Sequence, residues 1–387
     1  MKSLREIDLK GKRVLVRADF NVFLDEHEKI IDDFRIKQTL PTIEYLIKQG
    51  ARTILIAHLG RPQPSDAREK FSLRPVGQRL TDLLGKEVKF IEDCLGGKVA
   101  KEANGLSNGE ILLLENLRFY PAEEQGDENF AKQLASLAEV YVNDAFGVCH
   151  RAHASVVAIA KFLPGYAGFL LEKEVENLTR LRDKPDYPLC VVIGGVKIST
   201  KIKLIQNFLN KADDIILGGA LANTVLHAKG LAVGKSIIEE TMATEIQKLE
   251  ITTTKLHLPV DAIWCADKNR VETCHSGPVG FTQKDDSILD IGPDTEKLYG
   301  RIIKAAKMII WNGPMGLFEI ESFARGTKAV AEAIIGSSAY SIAGGGETVA
   351  YLSELGLTEK FSFISTGGGA MMEFLAGEKL PGIEALE

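Results

Sequence analysis

Five times between residues 190 and 369, a short apolar run that reads as a buried strand ends in a glycine-bearing loop. The runs are 190–193 before Gly194-Gly195, 215–217 before Gly218-Gly219, 308–311 before Asn312-Gly313, 340–343 before Gly344-Gly345-Gly346, and 361–364 before Gly367-Gly368-Gly369. In open parallel sheets, ligands bind outside the carboxyl ends of the strands. Glycine there lets backbone N–H groups approach an anion, and a following helix N-terminus adds partial positive charge. One glycine pair after a strand is usually a turn. Five at equivalent points predict a site for a phosphate-bearing ligand in the second half of the chain.

The first half has short β-branched or leucine-rich runs at 14–16, 53–56, 111–114 and 140–142, with helical periodicity over 36–47 and over 76–84, the latter closed by Gly85. That alternation predicts an α/β fold with parallel sheets and crossover helices. The segment 170–181 carries apolar residues at helical spacing and ends in the breaker-rich Asp183-Lys184-Pro185-Asp186-Tyr187-Pro188, so 170–186 reads as an interdomain helix and linker. The expected domains are 1–169 and 187–370. A length of 387 residues suits two cores.

Charge is distributed unevenly. Residues 1–165 hold 24 Lys and Arg against 24 Asp and Glu, so the net −6 lies in the rest, yet 11 of the 16 arginines fall in that first part. Arginine's planar fork suits bidentate contact with phosphate and carboxylate. Arg5, Arg52, Arg68, Arg74 and Arg79 read as solvated surface groups. Strand ends and the loops after them carry five more: Arg17-Ala18-Asp19-Phe20-Asn21 with Arg35 nearby, His58-Leu59-Gly60-Arg61, Glu115-Asn116-Leu117-Arg118, and His150-Arg151-Ala152-His153 after 140–142. Guanidinium and imidazole donors at one sheet edge would form a pocket for a small, doubly anionic molecule.

Other chemistries fit less well. An acidic balance argues against a dedicated nucleic-acid binder. The five cysteines form no C-x-x-C pair, so neither a disulfide framework nor a zinc ribbon is indicated, and a reducing cytosol is expected. The segment 154–171 is interrupted by Lys161 and Pro164 and is too polar to span a membrane, and the first residues lack the apolar core of a signal peptide. Cys149, His150 and His153 lack further zinc ligands at suitable spacing. Gly230 to Ser236 has three residues between its glycines where a P-loop needs four, and reads as a surface loop. No G-x-G-x-x-G occurs, which weighs against a dinucleotide-binding dehydrogenase. Trp264 and Trp311 read as core or pocket walls.

Taken in order, RADFNV (17–22), AHLGRP (57–62), LLLENLRF (112–119), VNDAFG (142–147), HRAHAS (150–155), GGVKISTK (194–201), DIGPDT (290–295), WNGPMGLFE (311–319), AGGGETVA (343–350) and STGGGA (365–370) resemble phosphoglycerate kinases over essentially the whole chain. The resemblance implies two Rossmann-like domains with parallel β-sheets flanked by helices, facing each other across a cleft. The first would bind 3-phosphoglycerate or 1,3-bisphosphoglycerate, the second Mg-ADP or Mg-ATP, with Mg2+ as cofactor. The segment 371–387 would return to the first domain, with Met371, Met372, Phe374 and Leu375 as its docking face. A monomer in the cytoplasm, with no nucleic-acid or membrane partner, is expected.

Residue by residue, the resemblance implies that His58, Arg61, Arg118 and Arg151 hold the substrate's non-reacting phosphate, with Leu59 and Gly60 beside them. Asp19 and Asn21 would orient its hydroxyl and carboxyl end, and Arg35 would neutralise the reacting group. Lys197 would guide the transferred phosphoryl, with Lys201 reaching the nucleotide phosphates from the same helix face. Gly346 and Gly369 would stabilise the transition state through their N–H groups. Asn312 and Thr348 would meet nucleotide phosphates, Glu319 the ribose and Pro314 the adenine, with Gly195, Gly219 and Gly345 completing the site. Glu347 would bind magnesium, where the family usually has aspartate. Ala220 and Ile288 stand where pocket glycines are common. A silent nucleotide-binding protein, or a kinase for a related sugar acid or acyl phosphate, are the rival readings. An assay with 3-phosphoglycerate and Mg-ATP separates them.

Overall fold

The computed structural model describes residues 1–25, 27–63, 65–248 and 254–387. The chain divides into two compact units, Met1–Asn177 with Glu378–Glu387, and Leu178–Gly377. The boundary falls inside the helix Phe169–Asp183.

In the first unit six strands form one sheet: β1 (Arg13–Arg17), β2 (Arg52–Ile56), β3 (Val88–Ile91), β4 (Ile111–Leu114), β5 (Val140–Asn143) and β6 (Gly165–Ala167), in the order β3-β4-β2-β1-β5-β6. Every pairing is parallel. Helices cover parallel sheets on both faces, so the strands need apolar residues throughout. β4, Ile-Leu-Leu-Leu, is buried along its whole length. The helix Arg74–Leu84 starts with proline in its first turn and stops at Gly85, whose φ of +60° is the left-handed conformation that ends helices.

The second unit holds β7 (Leu189–Ile193), β8 (Asp214–Leu217), β9 (Leu256–His257), β13 (Met308–Asn312), β14 (Tyr340–Gly344) and β15 (Phe363–Ser365), ordered β15-β14-β13-β7-β8-β9 and all parallel. A second sheet, absent from the sequence expectation, is antiparallel: β10 (Asp261–Cys265) lies between β11 (His275–Pro278) and β12 (Ser287–Ile291).

Two expectations are corrected. Cys265 and Cys274 form a disulfide across the β10–β11 hairpin, whose register sets Trp264 opposite His275. Met371, Met372, Phe374 and Leu375 belong to the second unit, where the Leu375 carbonyl accepts Asn207 Nδ2. The segment that joins the first unit starts at Glu378. There Gly382 N–H donates to the Cys149 carbonyl at 2.8 Å, and Leu380 and Leu386 are buried.

Candidate active site

In the first unit, the loops after β1, β2, β4 and β5 leave four adjacent strands at one sheet edge. The loops after β1 and β4 meet the β2 loop at Gly60. Asn21 Oδ1 accepts the Gly60 N–H at 2.8 Å, and Arg118 Nη1 donates to the Gly60 carbonyl at 2.6 Å. Asp19 Oδ2 accepts Arg35 Nη1 at 2.6 Å, and Asp19 Oδ1 accepts the Asn21 N–H. Arg118 Nε lies 3.0 Å from Glu124 Oε1, at ion-pair distance. Arg118, Arg35 and Arg17 all act on His58, and Arg61 and Arg151 act on Arg118. Asp19, Asn21, Arg35, His58, Gly60, Arg61, Arg118 and Arg151 are therefore brought together. Leu59 sends its side chain into the core, so only its backbone faces the loops.

The electrostatics suit an anion. Burial, then the neighbouring guanidinium groups, holds His58 well below its usual range. The same causes bring His150 down to about 4 and His153 to about 3. A neutral imidazole leaves the fixed positive charge to the arginines, whose charge does not depend on pH in the ordinary range.

In the second unit, the five glycine loops follow five adjacent strands, β15-β14-β13-β7-β8. Beside them is a cavity of about 300 Å³ lined by Gly195, Gly219, Pro314, Glu319 and Glu347, together with Ala220, Asn223, Lys268 and Ile288. Gly219 has φ +65°, and a Cβ there would stand 2.7 Å from the Gly195 nitrogen, so the loops close only around glycine. Gly195 N–H donates to the Pro314 carbonyl at 2.7 Å, fixing one wall.

Lys201 is buried and donates through Nζ to the Gly194 carbonyl. Burial lowers its pKa to about 8, opposed by the Glu347 carboxylate nearby. Asn312 Nδ2 donates to Gly344 O, and Thr348 Oγ1 accepts the Gly313 N–H at 2.8 Å, so both brace the glycine loops from beneath. Gly345 caps the helix Gly346–Glu354, and Gly369 opens the helix Gly369–Leu375.

Lys197 and Lys201 do not share a helix face. The helix begins at Ile202, and a turn closed by Lys201 N–H to Ile198 O separates the two lysines. Lys201 turns inward, whereas Lys197 is exposed on the loop. The 230–236 segment is a loop, but Ser236 is buried and its Oγ accepts the Ile288 N–H at 2.8 Å, bracing the cavity wall.

Residues outside the expected set also build the site. Arg17 is fully buried against His58 and Ser155, and Ser155 is held by Glu123. The one signal available was position: Arg17 directly follows a strand run and precedes Asp19 by two.

The sequence profile of the family described as phosphoglycerate kinase matches residues 4–378. The chain belongs to the phosphoglycerate kinase family. It is similar to the phosphoglycerate kinase of Moorella thermoacetica, 47% identical over 99% of this chain and 98% of the relative. It is 48% identical to that of Herpetosiphon aurantiacus, over 100% and 98%. Among solved structures, phosphoglycerate kinase from Pyrococcus horikoshii superposes with a TM-score of 0.88 at 35% identity, covering 100% of this chain and 98% of that one. The Coxiella burnetii structure gives 0.82 at 40% identity, covering 99% and 98%. Phosphoglycerate kinases are phosphotransferases with a carboxyl group as acceptor, and the two parallel sheets flanked by helices are their fold. Among the described residues, no helix is long and apolar enough to cross a membrane.

Proposed function

We propose that the chain catalyses reversible phosphoryl transfer between 1,3-bisphosphoglycerate and ADP, giving 3-phosphoglycerate and ATP, with phosphoglycerate on the first unit and nucleotide on the second. The observation that carries this reading is the cluster in which Arg35 and Arg118 act on His58, Arg151 acts on Arg118, and Arg118 holds the Gly60 carbonyl. A dianionic phosphate finds charged and neutral N–H donors there, and nothing in the cluster demands a covalent intermediate.

Phosphoryl transfer spreads charge over the phosphoryl oxygens, so positioning and electrostatics supply most of the catalysis. His58, Arg61, Arg118 and Arg151 anchor the non-reacting phosphate, and Asp19 and Asn21 orient the hydroxyl and carboxyl end. Arg35, held by Asp19, turns its remaining donors to the reacting carboxylate and the group in flight. In the second unit, Pro314 and Glu319 take the adenine and ribose ends. Lys197, Lys201 and the N–H groups of Gly346 and Gly369 meet the phosphate oxygens. The five strand-end loops and the helix termini behind them supply the donors.

Glu347 fits a magnesium ligand. It is exposed and lines the cavity, and among the described residues its carboxylate takes no hydrogen bond. Magnesium is usually held by one or two carboxylates and substrate phosphates. Glu347 would hold the ion, which neutralises charge on the nucleotide phosphates. We place the protein in the cytoplasm as a monomer.

A coupled assay with 3-phosphoglycerate and Mg-ATP tests the reading. Turnover of 3-phosphoglycerate is expected. Turnover only of a related acid, or nucleotide binding without transfer, would replace it with a different kinase or a silent binding protein.

A further inference from the structure

Arg17 stands behind the anion cluster and its guanidinium is completely enclosed. Nε donates to Ser155 Oγ at 3.0 Å, Nη1 donates to the Ala18 carbonyl, and Nη2 lies 3.1 Å from His58 Nδ1. Ser155 Oγ in turn donates to Glu123 Oε1 at 2.5 Å, and Ser155 N–H donates to Glu123 Oε2 at 2.9 Å. The chain of donors runs one way, from Arg17 through Ser155 to Glu123. Glu123 is fully buried, so it offsets the Arg17 charge through the serine.

That direction has a chemical consequence for His58. A guanidinium has five donors and no acceptor, so the nitrogen facing it must be the acceptor. An imidazolium has no acceptor at all. The Arg17 contact therefore selects neutral imidazole with its proton on Nε2. Arg17 is the only hydrogen-bond partner of His58 among the described residues, which leaves Nε2–H for a ligand.

We propose that Arg17 is a positioning residue that locks His58 as the Nε2–H tautomer, so that His58 offers an N–H donor to the substrate's non-reacting phosphate. The ligand half of this statement rests on the function proposed above; the tautomer half does not. Burial and the charges of Arg17, Arg118 and Arg35, with His153 beside them, act in the same direction by disfavouring the imidazolium. Lysine in place of Arg17 would keep the charge, but its single ammonium cannot hold Ser155, Ala18 and His58 in one fixed fork.

The test is long-range proton–nitrogen correlation NMR on the full chain at pH 7, with the His58 signals identified by their loss in His58→Leu. The parent is expected to show a neutral ring protonated at Nε2. Ser155→Ala, which removes one anchor of Arg17 without removing its charge, is expected to shift His58 toward a mixture of forms. Arg17→Lys should raise KM for 3-phosphoglycerate by about tenfold, the worth of one charge-assisted hydrogen bond, with KM for ATP unchanged within about twofold. A His58 ring protonated at Nδ1 in the parent overturns the proposal whether or not any variant folds. An unchanged tautomer in Ser155→Ala overturns the relay through Ser155. A fixed Nε2–H tautomer with phosphoglycerate affinity unaltered in His58→Leu supports the tautomer and overturns the pocket assignment instead.

Discussion

Arg35 and Asp19 form an ion pair, Nη1 to Oδ2 at 2.6 Å, in which the carboxylate is sealed from solvent and the guanidinium keeps about a quarter of its side chain exposed, at 24%. Asp19 thus fixes the arm of Arg35 while leaving donors free at its other edge. Arg35→Lys should lower kcat by about 10²-fold, the order expected for losing a preorganised donor to developing charge. KM for ATP should stay near the parent value. Steady-state kinetics with both substrates varied checks this, and an unchanged kcat would remove Arg35 from the transition state.

Arg118→Ala and Arg151→Ala should weaken 3-phosphoglycerate binding while leaving ADP binding nearly intact. On the proposed assignment, each removes a charge-assisted phosphate contact, worth on the order of 1.5–3 kcal/mol. Calorimetric titration of the two ligands separates the effects. Equal losses for both ligands would contradict the division of sites between units.

Glu347 tests the metal assignment. Glu347→Asp keeps the charge on a shorter arm and should preserve transfer. Glu347→Gln should lose most activity at limiting magnesium and should weaken magnesium-dependent binding of ADP by calorimetry. A glutamine variant as active as the parent would show that another group carries the ion.

Asp144 carries a pH prediction for stability. Its Oδ1 accepts the N–H groups of Leu170 and Leu171, at 2.9 and 3.2 Å, and burial raises its pKa to about 7. A carboxyl whose folded pKa is raised contributes stability that is fully present below its unfolded value near 3.8 and is lost as pH rises through about 7. Asp144→Asn retains an acceptor without the buried charge. It should therefore gain more melting temperature over the parent at pH 8 than at pH 5. Thermal unfolding at the two pH values decides it.

Parallel strands buried on both faces announced themselves in sequence because nothing polar interrupts them, as in 111–114. The strands left unrecognised lack that mark. β3 carries Lys89, partly exposed, and β6 is three residues long with glycine at its start. Strand-end residues such as Asp19, His58 and Arg118 were legible because a parallel sheet sends the ends of its strands to one edge. Burial direction was not legible. Arg17 is sealed by Ser155, 138 positions away. Lys201 turns in beneath the Gly194 carbonyl because the helix starts at Ile202, beyond both lysines, rather than carrying them on one face. The Cys265–Cys274 bridge depends on a hairpin whose strands, one with Ser276 and Gly277, have no apolar alternation to betray them.

The return of Glu378–Glu387 to the first unit matters for the order in which the protein is made. Gly382 sits against Cys149, and Leu380 and Leu386 fill the first unit's core, yet they follow all of Leu178–Gly377 in the chain. At about 5–20 residues per second, a ribosome needs on the order of ten to forty seconds to cover that stretch. For that interval the nascent first unit, although synthesised first, lacks the segment that supplies Leu380, Gly382 and Leu386, and the second unit gains its full sequence before the first is complete.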